Sequence, residues 1–132
     1  MLNLFKTKKK TDQLKILVVD DEPDLRSTVE YRLKFANFTV VTACNGKEGL
    51  DVAASEHPDL ILLDTNMPIM NGHEMLKHLR ANAELKHIPV IMLTAICGPQ
   101  DIAAASSYGI ADYVTKPFDF TELMEKVEAA LK

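Results

Sequence analysis

The sequence predicts an α/β fold, a doubly wound five-stranded parallel sheet built from strand–helix units in the pattern (β/α)5. Three observations carry this. Short runs of Val, Ile and Leu alternate with longer amphipathic segments, the pattern of βαβ units. The first and third runs are continuously apolar over 16–19 and 60–63, as strands covered on both faces are. The 132 residues, 47% hydrophobic and 26% charged, suit one domain with a sizeable core.

The predicted strands are Lys15 to Asp20, Thr39 to Ala43, Leu60 to Asp64, Pro89 to Thr94 and Ala111 to Thr115. The first helix opens with Pro23 at a position that needs no N–H. Asp21, Glu22 and Asp24 lie at the positive end of its dipole, and Leu25, Val29 and Leu33 recur along one face. The second starts near Asn45-Gly46 and offers Leu50, Ala53 and Ala54; the third starts near Asn71-Gly72 and offers Met75, Leu76 and Leu79. Asn caps both well. The fourth, roughly Pro99 to Tyr108 before the stop at Gly109, is rich in Ala and Ser and is expected to be the least firmly anchored. The fifth runs from about Asp119 with Leu123, Val127 and Leu131 on one stripe, Asp119 and Glu122 spaced as a capping box, and Glu122 placed to pair with Lys126.

A formal net charge of −4 argues against a chain that binds nucleic acid directly, which normally presents a basic face. Cys44 and Cys97 stand far apart with no metal-ligand spacing, which fits a reducing, cytoplasmic setting rather than a disulfide framework or zinc site. The segment 1–13, with Lys6, Lys8, Lys9 and Lys10 after a short apolar stub, inverts the order of a secretory signal and is too short to span a membrane. It is expected to be a flexible basic tail making no stable membrane insertion, with residues 14–132 forming the domain and no output domain attached.

In a parallel sheet the carboxyl ends of all strands share one edge, and ligands bind there. The predicted ends carry Asp20 with Asp21, Asp64, Thr94 and, just after the last strand, Lys116. Asp20 and Asp21 alone could simply cap a helix, Thr94 alone could be a strand residue, and Lys116 alone a surface one. Asp64 is harder to dismiss, because an unpaired ionised acid directly after four aliphatics costs several kcal/mol. Crowded carboxylates need a positive partner. Mg²⁺ uses few carboxylates and often shares a phosphate oxygen, so it suits Asp21, Asp64 and an incoming phosphoryl group; Lys116 supplies a second positive charge.

Four stretches, ILVVDDE at 16–22, LLDTNMPIMNG at 62–72, LTA at 93–95 and YVTKPF at 113–118, resemble the receiver domain of bacterial two-component response regulators, the stand-alone chemotaxis regulator being the simplest relative. The resemblance covers nearly the whole chain from about Leu14. It implies a flavodoxin-like sheet with strand order 2-1-3-4-5 and a phosphoprotein in phosphorelay signal transduction. Asp64 would accept a phosphoryl group from a sensor histidine kinase or histidine phosphotransfer protein. Asp20, Asp21, Asp64 and the Asn66 carbonyl would hold Mg²⁺, for which Mn²⁺ could substitute. Thr94 and Lys116 would bind the phosphoryl group, and Thr94 and Tyr113 would act as the switch. Lys116–Pro117 is cis in relatives. Asn66 and Ile96 occupy positions that tune water attack on the acyl phosphate; Ile96 cannot hydrogen-bond that water, which predicts slow self-dephosphorylation, testable with Ile96→Glu. Thr65 departs from the apolar residue usual in relatives.

The resulting expectation is a phosphorylation-dependent signalling switch, not a turnover enzyme, that assists its own phosphorylation and dephosphorylation. Its signal leaves through protein contacts of the face made by the fourth helix, fifth strand and fifth helix, toward an unknown downstream target; a phosphorylation-dependent homodimer is one form such contacts take. One rival is a Mg²⁺-dependent phosphohydrolase with an aspartyl nucleophile, which usually wants a second acid where Asn66 stands. A flavodoxin-like cofactor carrier would need a phosphate loop where Asp20-Asp21-Glu22 would repel the phosphate. His57, His73, His78 and His87 are dispersed without ligand spacing and read as solvated bystanders, and Met67, Met70 and Met75 as packing.

Overall fold

The fold is taken from a computed structural model that describes residues 14–95, 103 and 107–132. Strand β1 (Lys15–Val19) leads to helix α1 (Pro23–Phe35). Next come β2 (Thr39–Ala43), α2 (Gly46–Glu56), β3 (Leu60–Asp64), α3 (Gly72–Ala81), β4 (Val90–Thr94), β5 (Asp112–Thr115) and α4 (Phe120–Ala130). The strands form one parallel sheet in the order β2-β1-β3-β4-β5. The predicted strand starts at Pro89 and Ala111 each move in by one residue, and β1 stops one residue short of Asp20. Of the predicted helix at 99–108, Ala103 and Ser107 are helical, while 96–102 and 104–106 lie outside the described residues, as do the basic segment 1–13, Ile96 and Cys97.

Alternate residues of each central strand feed opposite cores, as a two-residue side-chain period demands. Leu17, Val19, Ile61, Leu63, Val90 and Met92 pack with Ala53 of α2 and Met75, Leu76 and Leu79 of α3. Ile16, Val18, Leu60, Leu62, Ile91 and Leu93 pack with Val29 and Leu33 of α1 and Leu123 and Val127 of α4. Helices therefore cover both faces. Every residue of β3 and β4 is buried, whereas the edge strands β2 and β5 are only partly so. Each buried large aliphatic contributes about 1.5–3 kcal/mol, so β3 and β4 are firmly fixed elements from which to hold a functional side chain.

The caps follow the sequence in two helices and depart from it in two. Asn45 accepts from the Glu48 N–H, and Asn71 and Glu74 form a full capping box. Helix α1 has no side-chain cap from its own N-cap residue, Glu22; the Asp20 carboxylate accepts the Glu22 N–H instead, at 2.9 Å. Asp119 accepts from Thr121 rather than entering a box with Glu122. The expected Glu122–Lys126 pair gives way to a longer reach. Lys126 Nζ donates to the Tyr113 carbonyl at 2.8 Å, lies 3.4 Å from Asp112 Oδ1 and sits over the Tyr113 ring. Tyr113 stands on an edge strand, so its ring and carbonyl are open to α4 in a way periodicity alone does not reveal. Ala54 lies on the exposed side of α2, and Ala53 alone of that pair enters the core.

Arg80, near the end of α3, ties three segments together. Its guanidinium donates to the carbonyls of Tyr108 and Gly109 at 2.8 Å each, of Lys86 at 3.1 Å and of Ile88 at 2.9 Å. The chain leading into β5 is thereby pinned to the helix before β4.

Candidate functional site

The carboxyl ends of β1, β3, β4 and β5 bring together Asp20, Asp21, Asp64, Thr94 and Lys116. Asp64 ends β3 and is 4% exposed; Asp20, just past β1, is 1% exposed; Thr94 ends β4 and is 7% exposed. These three are the buried polar residues among those described. Asp21 is half-buried. One carboxylate oxygen from each of Asp20, Asp21 and Asp64 lies within 4.8 Å of the others.

The backbone locks these side chains in place. Asp20 N–H donates to the Ala43 carbonyl at 3.1 Å, Thr65 N–H to Leu93 at 3.0 Å and Lys116 N–H to Thr94 at 2.7 Å, so the sheet ladder continues one residue beyond the strands. The 116–117 peptide bond is cis, in keeping with the resemblance. Gly72 is required beside Asp64. Its N–H donates to the Thr65 carbonyl at 3.1 Å, and a Cβ at position 72 would run into the Asp64 carbonyl oxygen. Thr65, which the sequence left without a role, thus holds the turn through both its backbone groups.

Lys116 is the positive centre. Its ammonium lies 2.9 Å from Asp20 Oδ2, 3.3 Å from Glu22 Oε1 and 3.4 Å from Asp64 Oδ1. Burial pulls its pKa down, but the Asp20 hydrogen bond and the charges of Asp20 and Asp64 outweigh that, so the ammonium is held above its ordinary range. Asp64 moves the other way from a typical acid. Burial first, then the Asp20 charge, push its carboxyl up to about 6; Lys116 and the Asn66 N–H, 3.3 Å from Oδ1, restrain the rise, and Asp21 adds to it. Three carboxylates against one buried ammonium leave the crevice anionic, which a divalent cation would relieve.

The structure thus brings together Asp20, Asp21, Asp64, Asn66, Thr94 and Lys116, while Tyr113 sits on β5 two residues before its carboxyl end, paired with Met92 of β4. Two residues were not foreseen as part of this cluster. Glu22, read as a helix-dipole residue, contacts Lys116, and Arg26 donates to the Asp20 carbonyl at 2.7 Å. Glu22 directly follows two acids that face a lysine, which is the signal that could have found it. Arg26 left none, since one turn of helix separates it from the motif. Of the histidines, His73 departs from a solvated role, its Nδ1 being buried with no hydrogen-bond partner. Beside Lys116 opens a groove of about 400 Å³ whose walls include Leu25, Pro117 and Phe118.

Comparison with known proteins agrees with this geometry. The family model described as "Response regulator receiver domain" matches residues 16–128. A probable transcriptional regulator, ycf27, of Cyanophora paradoxa is 41% identical over 118 residues, 89% of this chain and 48% of that protein. Response regulator ArlR of Staphylococcus aureus is 38% identical over 117 residues, 89% of this chain and 52% of that protein. The chain spans about half the length of these curated relatives. The solved structure of the chemotaxis protein CheY4 of Vibrio cholerae superposes with a TM-score of 0.85 at 33% identity, covering 89% of this chain and 98% of that one.

Proposed function

The chain belongs to the response regulator receiver domain family, and from that premise we propose that it is a signalling switch operated by phosphorylation of Asp64. One observation carries the reading: the Asp64 carboxylate, buried at the end of an all-buried strand, stands in a cluster with Asp20 and Asp21 and in ion-pair range of Lys116. A structural acid gains nothing from such neighbours, since like charges so close raise its cost. A nucleophile for phosphoryl transfer gains position, a metal-binding flank and a cation.

Receiver domains bind Mg²⁺ at an acidic pocket, and the donor set here fits a hard cation, being all oxygen with more negative than positive charge. Asp20, Asp21, Asp64 and the Asn66 carbonyl would hold it, and when bound it would offset charge on the transferring phosphoryl oxygens.

The rest of the work falls to the chain's own groups. In transfer from a phosphohistidine, an Asp64 carboxylate oxygen forms the new P–O bond as the P–N bond breaks, and the histidine imidazole leaves with the nitrogen electron pair. The Lys116 ammonium, now shared among three acids, turns to the added phosphoryl oxygens. The Thr94 hydroxyl donates to the same group. Phosphorylation adds about −1.5 to −2 charge at this point, and movement of Thr94 toward it frees space for Tyr113. The signal then leaves through β5, α4 and the segment 99–108, most of which lies outside the described residues, toward a protein target. Asn66 and Ile96 set the lifetime of the acyl phosphate, Ile96 lying outside the described residues.

The test is incubation with Mg²⁺ and acetyl phosphate. The reading predicts one acid-stable, base-labile phosphoryl adduct per chain, lost in Asp64→Asn. Steady hydrolysis of the donor with no adduct would support a phosphohydrolase instead and overturn the switch.

A further inference from the structure

The transfer chemistry uses nothing of the groove between α1 and α4, and nothing of the basic segment 1–13. The groove encloses about 360 Å³, with Phe35 and Ala36 from the end of α1 on one wall and Phe120, Met124, Glu125 and Glu128 of α4 on the other. Phe120 is fixed there, because the Arg32 guanidinium lies 4.8 Å over its ring and Phe118 meets it edge-on. Phe35 is not covered. It is 81% exposed, the most exposed large hydrophobic among the described residues. An apolar ring in water beside an apolar groove marks a surface built for contact.

The groove also has an unmet charge. Glu125 and Glu128 have no ion-pair partner among the described residues, and the last turn of α4 carries no basic residue to complement the negative end of its dipole. The chain holds a segment of matching chemistry. Residues 1–13 begin with Met1, Leu2, Leu4 and Phe5 and continue with Lys6, Lys8, Lys9 and Lys10, with no acid before Asp12. The point of attachment is close by. The Leu14 carbonyl accepts the Thr39 N–H at 3.0 Å, at the edge where α1 ends, and the Leu14 side chain packs on the core cluster that Ala36, Phe120 and Met124 also cover. Helix α4 returns from the carboxyl edge toward that same edge, so Glu128 and Glu125 stand nearer to Leu14 than Phe120 does. The order along the segment matches, since the lysines precede Leu14 directly and the apolar residues lie beyond them. The 13 residues reach about 43 Å when extended, against a length of about 16 Å for α4.

We infer that residues 1–13 dock in this groove of their own chain, with Leu2, Leu4 and Phe5 covering Phe35 and Met124 and the lysines pairing with Glu125 and Glu128. The occupant is the tethered segment rather than a second copy or a lipid surface, because attachment at Leu14 holds it at an effective concentration in the millimolar range, which a separate partner must exceed. Exposed ion pairs contribute little singly. The apolar contacts therefore carry the docking, and salt weakens it only in part.

The experiment uses the full chain as wild type, Phe35→Ser, Tyr31→Ser and the pair Leu4→Ser with Phe5→Ser. Tyr31 is the control, 68% exposed on the same helix but outside the groove. Trypsin cleavage after Lys6, Lys8, Lys9 and Lys10 is timed by intact mass, and a carbodiimide couples lysines to the carboxylates they touch before peptide mapping. Docking shields the tail lysines, so cleavage there is expected to be about tenfold faster in Phe35→Ser and in the Leu4, Phe5 pair than in wild type, and unchanged in Tyr31→Ser. Coupling is expected to join tail lysines to Glu125 or Glu128 within one chain and to fall to background in the Leu4, Phe5 pair. Equal cleavage in wild type and Phe35→Ser overturns the proposal, as does equal acceleration in Phe35→Ser and Tyr31→Ser. Coupling confined to a covalent dimer assigns the groove to a second copy, and protection that arises only on adding phosphatidylglycerol vesicles assigns the segment to a lipid surface; either result overturns it too.

Discussion

Replacing Asp64 with asparagine is expected to stabilise the metal-free protein at neutral pH, although it removes a buried ion-pair partner. Burial, and then the Asp20 charge, hold the Asp64 carboxyl at about 6 in the fold, well above the usual carboxylate range, which costs the ionised folded state about 3 kcal/mol at most. The folded pKa lies above the unfolded one. The group's contribution is therefore fully present below pH 4 and is lost as pH rises through 6. The crevice opens to solvent past the half-buried Asp21 and exposed Glu22, so screening reduces the effect to about 1–2 kcal/mol. Asparagine keeps the Oδ1 that faces Asn66 and Lys116 and never ionises. Thermal unfolding in EDTA should place Asp64→Asn about 4–8 °C above wild type at pH 7.5, with the gap closing by pH 4.5; differencing the two proteins cancels every other titrating group. A lower melting point for Asp64→Asn at pH 7.5, or a gap that does not narrow on acidification, would refute the charge-crowding argument.

Mg²⁺ binding should weaken as pH falls through about 6, approaching tenfold per pH unit for the one proton that competes with the metal; calorimetry in buffers of differing ionisation heat would show the proton released at pH 5.5 and not at pH 8. Arg80→Met should cost about 2 kcal/mol in urea unfolding, since it strips donors from four carbonyls, three of which water can reach. Gly72→Ala should destabilise by about 1–3 kcal/mol through overpacking against the Asp64 carbonyl, and should slow acetyl phosphate labelling more than a distant substitution of equal cost, because the acceptor itself is displaced.

The architecture was legible because hydrophobic runs and caps are local signals. Continuous burial of β3 and covering of both faces of β1 follow directly from LILLD and KILVV, and the asparagines at 45 and 71 cap the helices they precede. The acid cluster was legible for a topological reason: a parallel sheet sends every strand end to one edge, so Asp20, Asp64, Thr94 and Lys116 could be placed together without coordinates. Long side chains that choose among several partners were not. Lys126 passes over Glu122, one turn away, for Asp112 and Tyr113, and Lys116 takes Glu22 as well as the aspartates. Arg80 reaches the carbonyls of Tyr108 and Gly109, 28 and 29 residues on, which no spacing rule covers. The φ of +71° at Ile69, in the loop between β3 and α3, was hidden for the opposite reason, since a β-branched residue is the last to be assigned that conformation from sequence.

The central claim is that Asp64, and neither of its two acidic neighbours, forms the acyl phosphate. The most direct measurement is borohydride reduction of the protein after labelling with acetyl phosphate and Mg²⁺, followed by peptide mass spectrometry, because reduction converts a phosphorylated aspartate to homoserine where it stands. The account predicts homoserine at position 64 alone, dependent on Mg²⁺. Homoserine at position 20 or 21, or labelled protein with no homoserine anywhere, would contradict it.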